Sequence, residues 1–121
     1  MAQENIVKVK SFDFAVKTVK LAYLIQKEKK EFDLTRQIIR SSTSIGANLE
    51  ESMGGQSEKD FLHKVSISYK EARETEYWLR LKLAVSLITK EQQNDLLLNV
   101  QELLRLLGAI RRTMKNKIHG N

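Results

Sequence analysis

The chain contains no proline and only five glycines among its 121 residues. These two residues interrupt helices most strongly, because proline lacks a backbone N–H and glycine loses the most conformational entropy on ordering. A chain almost free of both can continue a helix over many turns. This composition favours few, long helices, and the length is that of a single domain over residues 1–121.

Apolar residues recur at spacings of three and four along most of the chain, which is the period of an amphipathic helix. In the first segment they form a broad apolar face that we predict to lie against the core. That face consists of Phe12, Val16, Val19, Tyr23, Phe14, Leu21 and Ile25. The four predicted helices cover about residues 11–28, 34–52, 58–88 and 90–117.

Short capping signals separate these segments. Asp33 is a candidate N-cap for the second helix, and Thr89 followed by Gln92 has the spacing of a capping box. The connection between the third and fourth helices is therefore very short, and short connections join antiparallel neighbours. The predicted fold class is all-α, an antiparallel up-down four-helix bundle.

Two segments predict close packing and self-association. Residues 41–47 read SSTSIGA, whose small side chains would let another helix approach closely. The fourth helix carries a heptad stripe, widened by further leucines beyond the seam that two helices need. The stripe and the added leucines are Leu96, Val100, Leu103, Leu107, Ile110 and Met114 with Leu97, Leu98, Leu104 and Leu106. We expect an oligomer interface to supply part of the cover that this helix requires.

Glu71 and Glu74 interrupt the apolar stripe of the third helix, and a buried carboxylate must be paired or protonated. The second helix offers Arg36 and Arg40 one turn apart. We predict Arg to Glu pairing between these helices, in a network that fixes helix register. The alternative is a carboxylate pair in acid-base work, which would need a cleft and a histidine that this stretch lacks.

The residues needed for most enzyme chemistry are missing. There is no cysteine, which excludes disulfides, thiolate nucleophiles and cysteine-ligated metals. Asp60 and His63 form the only carboxylate-x-x-His pair, and one such pair cannot complete a di-iron site. No glycine-rich phosphate loop is present. We predict a non-enzyme with no catalytic, cofactor-binding or metal residues, no cofactor and no small-molecule substrate.

The net charge is +6, and the chain after Glu102 contains no acidic residue. Cations near a helix C-terminus interact favourably with the helix dipole, so the run has a purely structural explanation as a solvated helix end. It is also a candidate surface for RNA or DNA. The candidate residues are Arg105, Arg111, Arg112, Lys115 and Lys117.

Aromatic and basic residues alternate in YWLRLK at 77–82, a pattern that can bind single strands by stacking. Trp78, however, shares the helical stripe of Leu81 and Val85, which favours a core position. Elsewhere, no apolar stretch approaches 18 residues and the N-terminus has no apolar leader region. We therefore expect a cytoplasmic protein with no membrane association.

The segments SIGANLEES at 44–52 and SYKEARETEYWLRL at 68–81 carry a family resemblance. They resemble the four-helix-bundle family encoded in intervening sequences of bacterial 23S rRNA genes, which shows Q-x-x-R, then S-I-x-x-N-I-x-E-G, then a phenylalanine-led helix with E-x-E. Ser52 stands where that family usually has glycine. The matching positions are Gln37, Arg40, Ser44, Ile45, Asn48, Leu49, Glu51, Phe61, Glu74 and Glu76.

The resemblance implies a protomer of a barrel-like homopentamer with no established catalytic activity. It extends more distantly to the basic, pentameric accessory protein of diversity-generating retroelements, which works with a reverse transcriptase and its RNA. With the motif positions added, the predicted structural polar network comprises Arg36, Arg40, Asn48, Glu51, Glu71 and Glu74.

Two functions follow as hypotheses. The first is a homo-oligomeric, pentameric scaffold or adaptor that binds RNA or DNA non-specifically through its basic surface. The second is a protein-protein interaction module that recruits a polymerase or reverse transcriptase without touching nucleic acid itself.

Overall fold

The structure, a computed structural model, describes residues 2–54 and 57–120. Its helices are α1 (Ala2–Lys29), α2 (Asp33–Met53), α3 (Glu58–Ala84) and α4 (Lys90–Ile118). Each helix packs against two neighbours in ring order, α1 on α2, α2 on α3, α3 on α4 and α4 on α1. This arrangement confirms the predicted all-α, antiparallel up-down four-helix bundle.

The first helix begins at Ala2 rather than near residue 11, because its early turns also contribute to the core. Val7 is fully buried, as is Phe14 two turns later. The predicted core face is wrong in part, since Phe12 and Tyr23 are 68% and 60% exposed. Helix α1 therefore has apolar side chains on two opposite faces, and only one of them packs inside the bundle.

The third helix ends at Ala84 rather than at Ile88. Ser86 has a φ of 62°, in the left-handed region, and the Leu87 amide donates to the carbonyl of Lys82 at 2.8 Å. This is the hydrogen-bond pattern of a Schellman motif, with serine at the position that usually holds glycine. The chain thus turns before the predicted end, and the Thr89 capping box then starts α4.

The small residues of α2 do allow close packing, but within the chain. A Cβ added at Gly46 would lie 3.4 Å from Ser11 Oγ on α1. On the other side, Ser68 of α3 donates to the carbonyl of Ile45 at 2.8 Å. The SSTSIGA segment therefore joins α2 to both of its neighbours.

The fourth helix is also covered mainly by its own chain. Its buried residues include Leu96, Val100, Leu103, Leu107 and Ile110, and the flanking Leu97, Leu104, Leu106 and Met114 pack partly buried against the core. Leu98 is the exception and is 66% exposed. Most of the apolar surface of α4 is thus covered within the chain by α1 and α3, and the expectation of an oligomer interface on this helix stays a prediction.

Candidate functional site

Arg40 of α2 lies between two carboxylates of α3. Its guanidinium pairs with Glu71, with 2.8 Å between Nη1 and Oε2, and also with Glu74. The Trp78 indole nitrogen donates to the same Glu74 carboxylate at 2.9 Å. Arg40, Glu71 and Glu74 are therefore brought together in one cluster that ties α2 to α3.

Two members of this cluster, Arg40 and Glu74, are stabilised in their ionised forms. Partial burial alone would raise the pKa of Glu74, but the Trp78 hydrogen bond and the bond and charge of Arg40 outweigh it, so that pKa lies below its usual range. The hydrogen bond with Glu74 is the main cause of a raised pKa for Arg40. A carboxylate stabilised as the anion is a poor proton donor or acceptor near neutral pH, so this geometry suits helix docking rather than acid-base chemistry.

The other residues of the predicted polar network lie apart from this cluster. Arg36 does not reach α3 and instead lies 3.8 Å from Asp33 within α2. Asn48 donates to the carbonyl of Ser44 at 2.9 Å. Glu51 accepts from Lys64 of α3 at 2.8 Å. The predicted network is thus four separate sets of contacts rather than one: the Arg40 cluster and the contacts of Arg36, Asn48 and Glu51.

A buried lysine was not predicted from the sequence. Lys82 is only 1% exposed, and its Nζ has no hydrogen-bond partner among the described residues. Burial lowers the pKa of Lys82, against an opposing effect of the Glu31 charge. Its position four residues after Trp78 and three after Leu79, on the inward side of α3, is the signal that could have indicated burial.

The outer stripe of α1, made of Val9, Phe12, Val16, Val19 and Tyr23, is an apolar feature left largely uncovered, since all of these residues except the half-buried Val19 are exposed. Its spacings of three, four, three and four are those of a heptad seam. Val9 and Phe12 are 61% and 68% exposed. Surface grooves of about 560 and 350 Å³ lie on either side of Phe12, toward α4 and α2 respectively.

Ion pairs flank the outer stripe on both sides. Lys8 lies 3.2 Å from Glu50 of α2. On the α4 side, Lys10 lies 3.3 Å from Glu102, and Lys17 lies 3.5 Å from Asp95. Charges bordering an apolar seam in this way correspond to the flanking positions of a coiled coil. The stripe therefore resembles an unpartnered helix-packing surface.

Arginines gather where α3 meets α4. A Cβ added at Gly108 would lie 3.6 Å from the Tyr69 ring, and Gln101 donates to Glu76 at 3.4 Å. These two contacts set the antiparallel register of the helices. We define the arginine face as Arg73, Arg80, Arg105 and Arg112, all of them exposed, in helical register with these contacts.

The predicted basic residues of α4 are not equally available. Arg105, Arg112 and Lys115 are exposed. The Arg111 guanidinium carbon lies 4.6 Å from the Tyr69 ring centre, and its Nε donates to Ser66 at 3.2 Å. Lys117 lies 2.7 Å from Glu58.

The arginines of α3 were missed from the sequence, although Tyr69, Arg73, Glu76 and Arg80 follow a spacing of four, three and four that could have revealed a shared face.

A family model described as 23S rRNA-intervening sequence protein matches residues 3–109, which is most of the chain. The chain belongs to this family. Membership confirms the resemblance carried by the motifs of α2 and α3. The likeness to the retroelement accessory protein stays a prediction.

A solved structure of the same bundle type supports the assignment. It is a protein of unknown function from the S23 ribosomal protein family of Bacteroides thetaiotaomicron, with 44% identity and a TM-score of 0.89. The match covers 91% of this chain and 98% of that one. No curated protein matches the chain.

Two further findings concern the described part of this family member. Within residues 2–54 and 57–120, no helix is long and apolar enough to cross a membrane. In the same residues, histidine and acidic side chains form no group of three or more suited to holding a metal ion.

Proposed function

We propose that this 23S rRNA-intervening sequence protein is a non-catalytic homo-oligomeric scaffold that binds RNA or DNA through its basic surface without reading sequence. The observation that carries the first half is the outer stripe of α1, which has the spacing of a helix-packing seam but is exposed in the single chain. Each buried Å² of such surface contributes about 25 cal/mol, so a second copy would gain by covering it.

The flanking ion pairs support self-association through the outer stripe. Lys10 and Lys17 already have acidic partners on α4, so covering the stripe would not bury either of these two lysines unpaired. The number of subunits, five, comes from the family resemblance, and the stripe itself favours association without specifying that number.

Light scattering at micromolar concentration tests this half of the proposal. We expect an assembly several times the 14.0 kDa chain mass. Phe12→Ser and Val16→Ser should shift it toward the monomer with helical circular dichroism retained. Leu98→Ser, at an equally exposed leucine of α4, is the matched control and should leave the assembly intact. A wild-type chain that stays monomeric would contradict the scaffold.

The second half rests on exposed arginines of α4. Arg105 and Arg112 make no ion pair among the described residues, whereas Lys117 is paired with Glu58. Arginine binds phosphate through paired N–H donors, and phosphate contacts need no particular base sequence. A surface of this kind would bind many nucleic acids with similar affinity.

Fluorescence anisotropy with labelled RNA of mixed sequence tests this half. Affinity should fall steeply between about 50 mM and about 200 mM salt, because each phosphate contact releases counterions. Exchanging Arg105 and Arg112 for glutamine should weaken binding, while the same exchange at Lys20 and Lys27 of α1 controls for net charge. Absence of binding at low salt, or binding insensitive to salt, would rule out phosphate contacts.

The second candidate is a protein-protein interaction module that recruits a polymerase or reverse transcriptase and does not touch nucleic acid. The grooves beside Phe12 favour it, since a partner helix could lie along the outer stripe in place of a second copy. Pull-down from native lysate with and without nuclease separates the two functions. A partner retained after nuclease treatment, together with absent direct binding of RNA, would favour this module.

A further inference from the structure

We infer that the arginine face, together with Tyr77 of α3, forms a surface that prefers single-stranded to double-stranded nucleic acid. This inference rests on the proposed nucleic-acid binding and adds to it a partner class and an aromatic contact. The basic run of α4 alone would not distinguish the two forms.

Tyr77 lies between two arginines on the outside of α3. Arg73 is four residues before it and Arg80 three residues after it, so one arginine lies about one helical turn to each side. Tyr77 is 51% exposed, and both arginines are exposed. Arg73 and Arg80 are about 10 Å apart along the helix axis, with the aromatic ring between them.

Trp78 holds the tyrosine from one side. The two rings meet edge to face, with centres 5.2 Å apart and planes at 69°. Trp78 is itself partly buried and fixed by its hydrogen bond to Glu74. Of the two neighbouring aromatics, Tyr77 is therefore the one that offers a ring to a ligand, and Trp78 limits the positions that ring can take.

Two contacts between α3 and α4 place the arginines of α4 beside those of α3. The Tyr69–Gly108 and Glu76–Gln101 contacts lie on either side of the level at which Arg73 and Arg105 occur. Arginines of α3 and α4 therefore border one continuous strip of surface. A chain of phosphates following this strip would meet basic groups from both helices.

Charge is distributed unevenly around the bundle. The α1–α2, α1–α4 and α2–α3 borders each carry cation-carboxylate pairs, such as Lys8 with Glu50, Lys10 with Glu102, and Arg40 with Glu71. The α3–α4 border carries one such pair, Lys117 with Glu58, but the four arginines of the arginine face make none among the described residues. Glu76, an acidic residue between Arg73 and Arg80 in sequence, accepts from Gln101. Five of the seven arginines of the chain belong to α3 or α4.

The combination of arginine and an exposed ring favours a single strand. Phosphates of either form can pair with arginine, but only an unpaired base can lay its face on a tyrosine. Charge alone favours the duplex, which presents more phosphates per unit length. A preference for the single strand would therefore report the aromatic contact. An acidic protein could satisfy the arginines but would gain nothing from stacking.

The test is anisotropy with the full chain and a labelled DNA strand of mixed sequence, free or annealed to its complement. We expect the single strand to bind more tightly than the duplex. Tyr77→Ala should weaken single-strand binding by about fivefold to about a hundredfold while changing duplex binding less than about twofold. Tyr77→Phe keeps the stacking ring and should restore binding. Phe32→Ala, at an exposed ring away from this face, is the matched control.

Three results would overturn the inference. If the duplex binds as tightly as the single strand or more tightly, the protein has no preference for the single strand. If Tyr77→Ala lowers the affinity for both forms equally, Tyr77 does not stack on an unpaired base. If poly-glutamate displaces the labelled strand as effectively as unlabelled DNA does, the arginine face is a site for acidic protein. If exchanging Arg105 and Arg112 weakens binding but exchanging Arg73, Arg80 and Tyr77 does not, the proposed function stands and this inference fails. If the protein binds neither the single strand nor the duplex, both the proposed nucleic-acid binding and this inference are wrong.

Discussion

The Trp78 indole nitrogen donates a hydrogen bond of 2.9 Å to the Glu74 carboxylate, four residues earlier on the same helix. Because the same carboxylate also pairs with Arg40, one side chain of α3 is fixed both by its own helix and by α2. The carboxylate is about one-third exposed, so solvent weakens the ion pair. The Glu74 carboxylate therefore helps to fix the position of α2 against α3, in addition to its contribution to stability.

Glu74→Gln should lower the free energy of unfolding by about 1 kcal/mol near neutral pH. The pKa of Glu74 is lowered in the fold from 4.5, so its contribution is complete above that value and is lost as pH falls through the folded pKa. Urea unfolding across this range should show wild type and variant converging in acid. Glu28→Gln, at an exposed glutamate of α1, should show no such convergence. A difference that stays constant with pH would contradict the ionised cluster.

Lys82→Met should stabilise the protein, because a buried ammonium without a partner among the described residues is replaced by an apolar chain of similar length. Burial lowers the pKa of Lys82, so the unfolded chain binds more protons between that lowered pKa and 10.5, and wild-type stability rises with pH in this window. The variant should lose this rise. Lys20→Met, at an exposed lysine, should keep it, and an unchanged slope in Lys82→Met would contradict the assignment.

Ser86→Gly should raise the free energy of unfolding by about 0.5–1 kcal/mol. The φ of 62° at Ser86 is unfavourable for a residue with a Cβ and favourable for glycine. Thermal or urea unfolding measures the gain. Ser86→Ala retains the Cβ and is the control, so a similar gain in both variants would show that backbone strain is not its source.

Phe14→Ala and Phe12→Ala should separate the two faces of α1. Phe14 is 1% exposed, and its truncation should cost about 3–5 kcal/mol of unfolding free energy by leaving a cavity. Phe12→Ala should change the stability of the isolated chain by no more than about 0.5 kcal/mol. Urea unfolding at concentrations below self-association gives both values. A large loss in Phe12→Ala there would mean that its ring packs within the chain.

The sequence predicts the number of helices well, because proline is absent and because the capping box of Thr89 and Gln92 depends only on residues close together in sequence. The pairing of Arg40 with Glu71 and Glu74 could also be anticipated, since charges on an apolar stripe require partners. Periodicity failed on α1, where Phe12 and Phe14 each belong to a regular apolar stripe. A helical period identifies such stripes, but it does not indicate which of the two stripes packs against the core.

Other features depend on tertiary structure. No glycine marks the end of α3, and Ser86 adopts a left-handed conformation because the chain must reverse there to pack α4 against α3. Arg36 and Arg40 look equivalent in sequence, yet only Arg40 lies level with the α3 carboxylates. The arginine face is spread over two helices, so its members are brought together only once the register between Tyr69 and Gly108 is set.

The uneven distribution of charge around the bundle has a consequence for encounters in solution. Because the arginines of the arginine face make no ion pair among the described residues, although Lys117 on the same border pairs with Glu58, we expect an electric dipole with its positive end on the α3–α4 side. In the field of a polyanion such a dipole experiences a torque, which turns the α3–α4 side forward before any atoms touch. Orientation of this kind raises the fraction of collisions that are productive, and added salt would slow association by shortening the distance over which the torque acts.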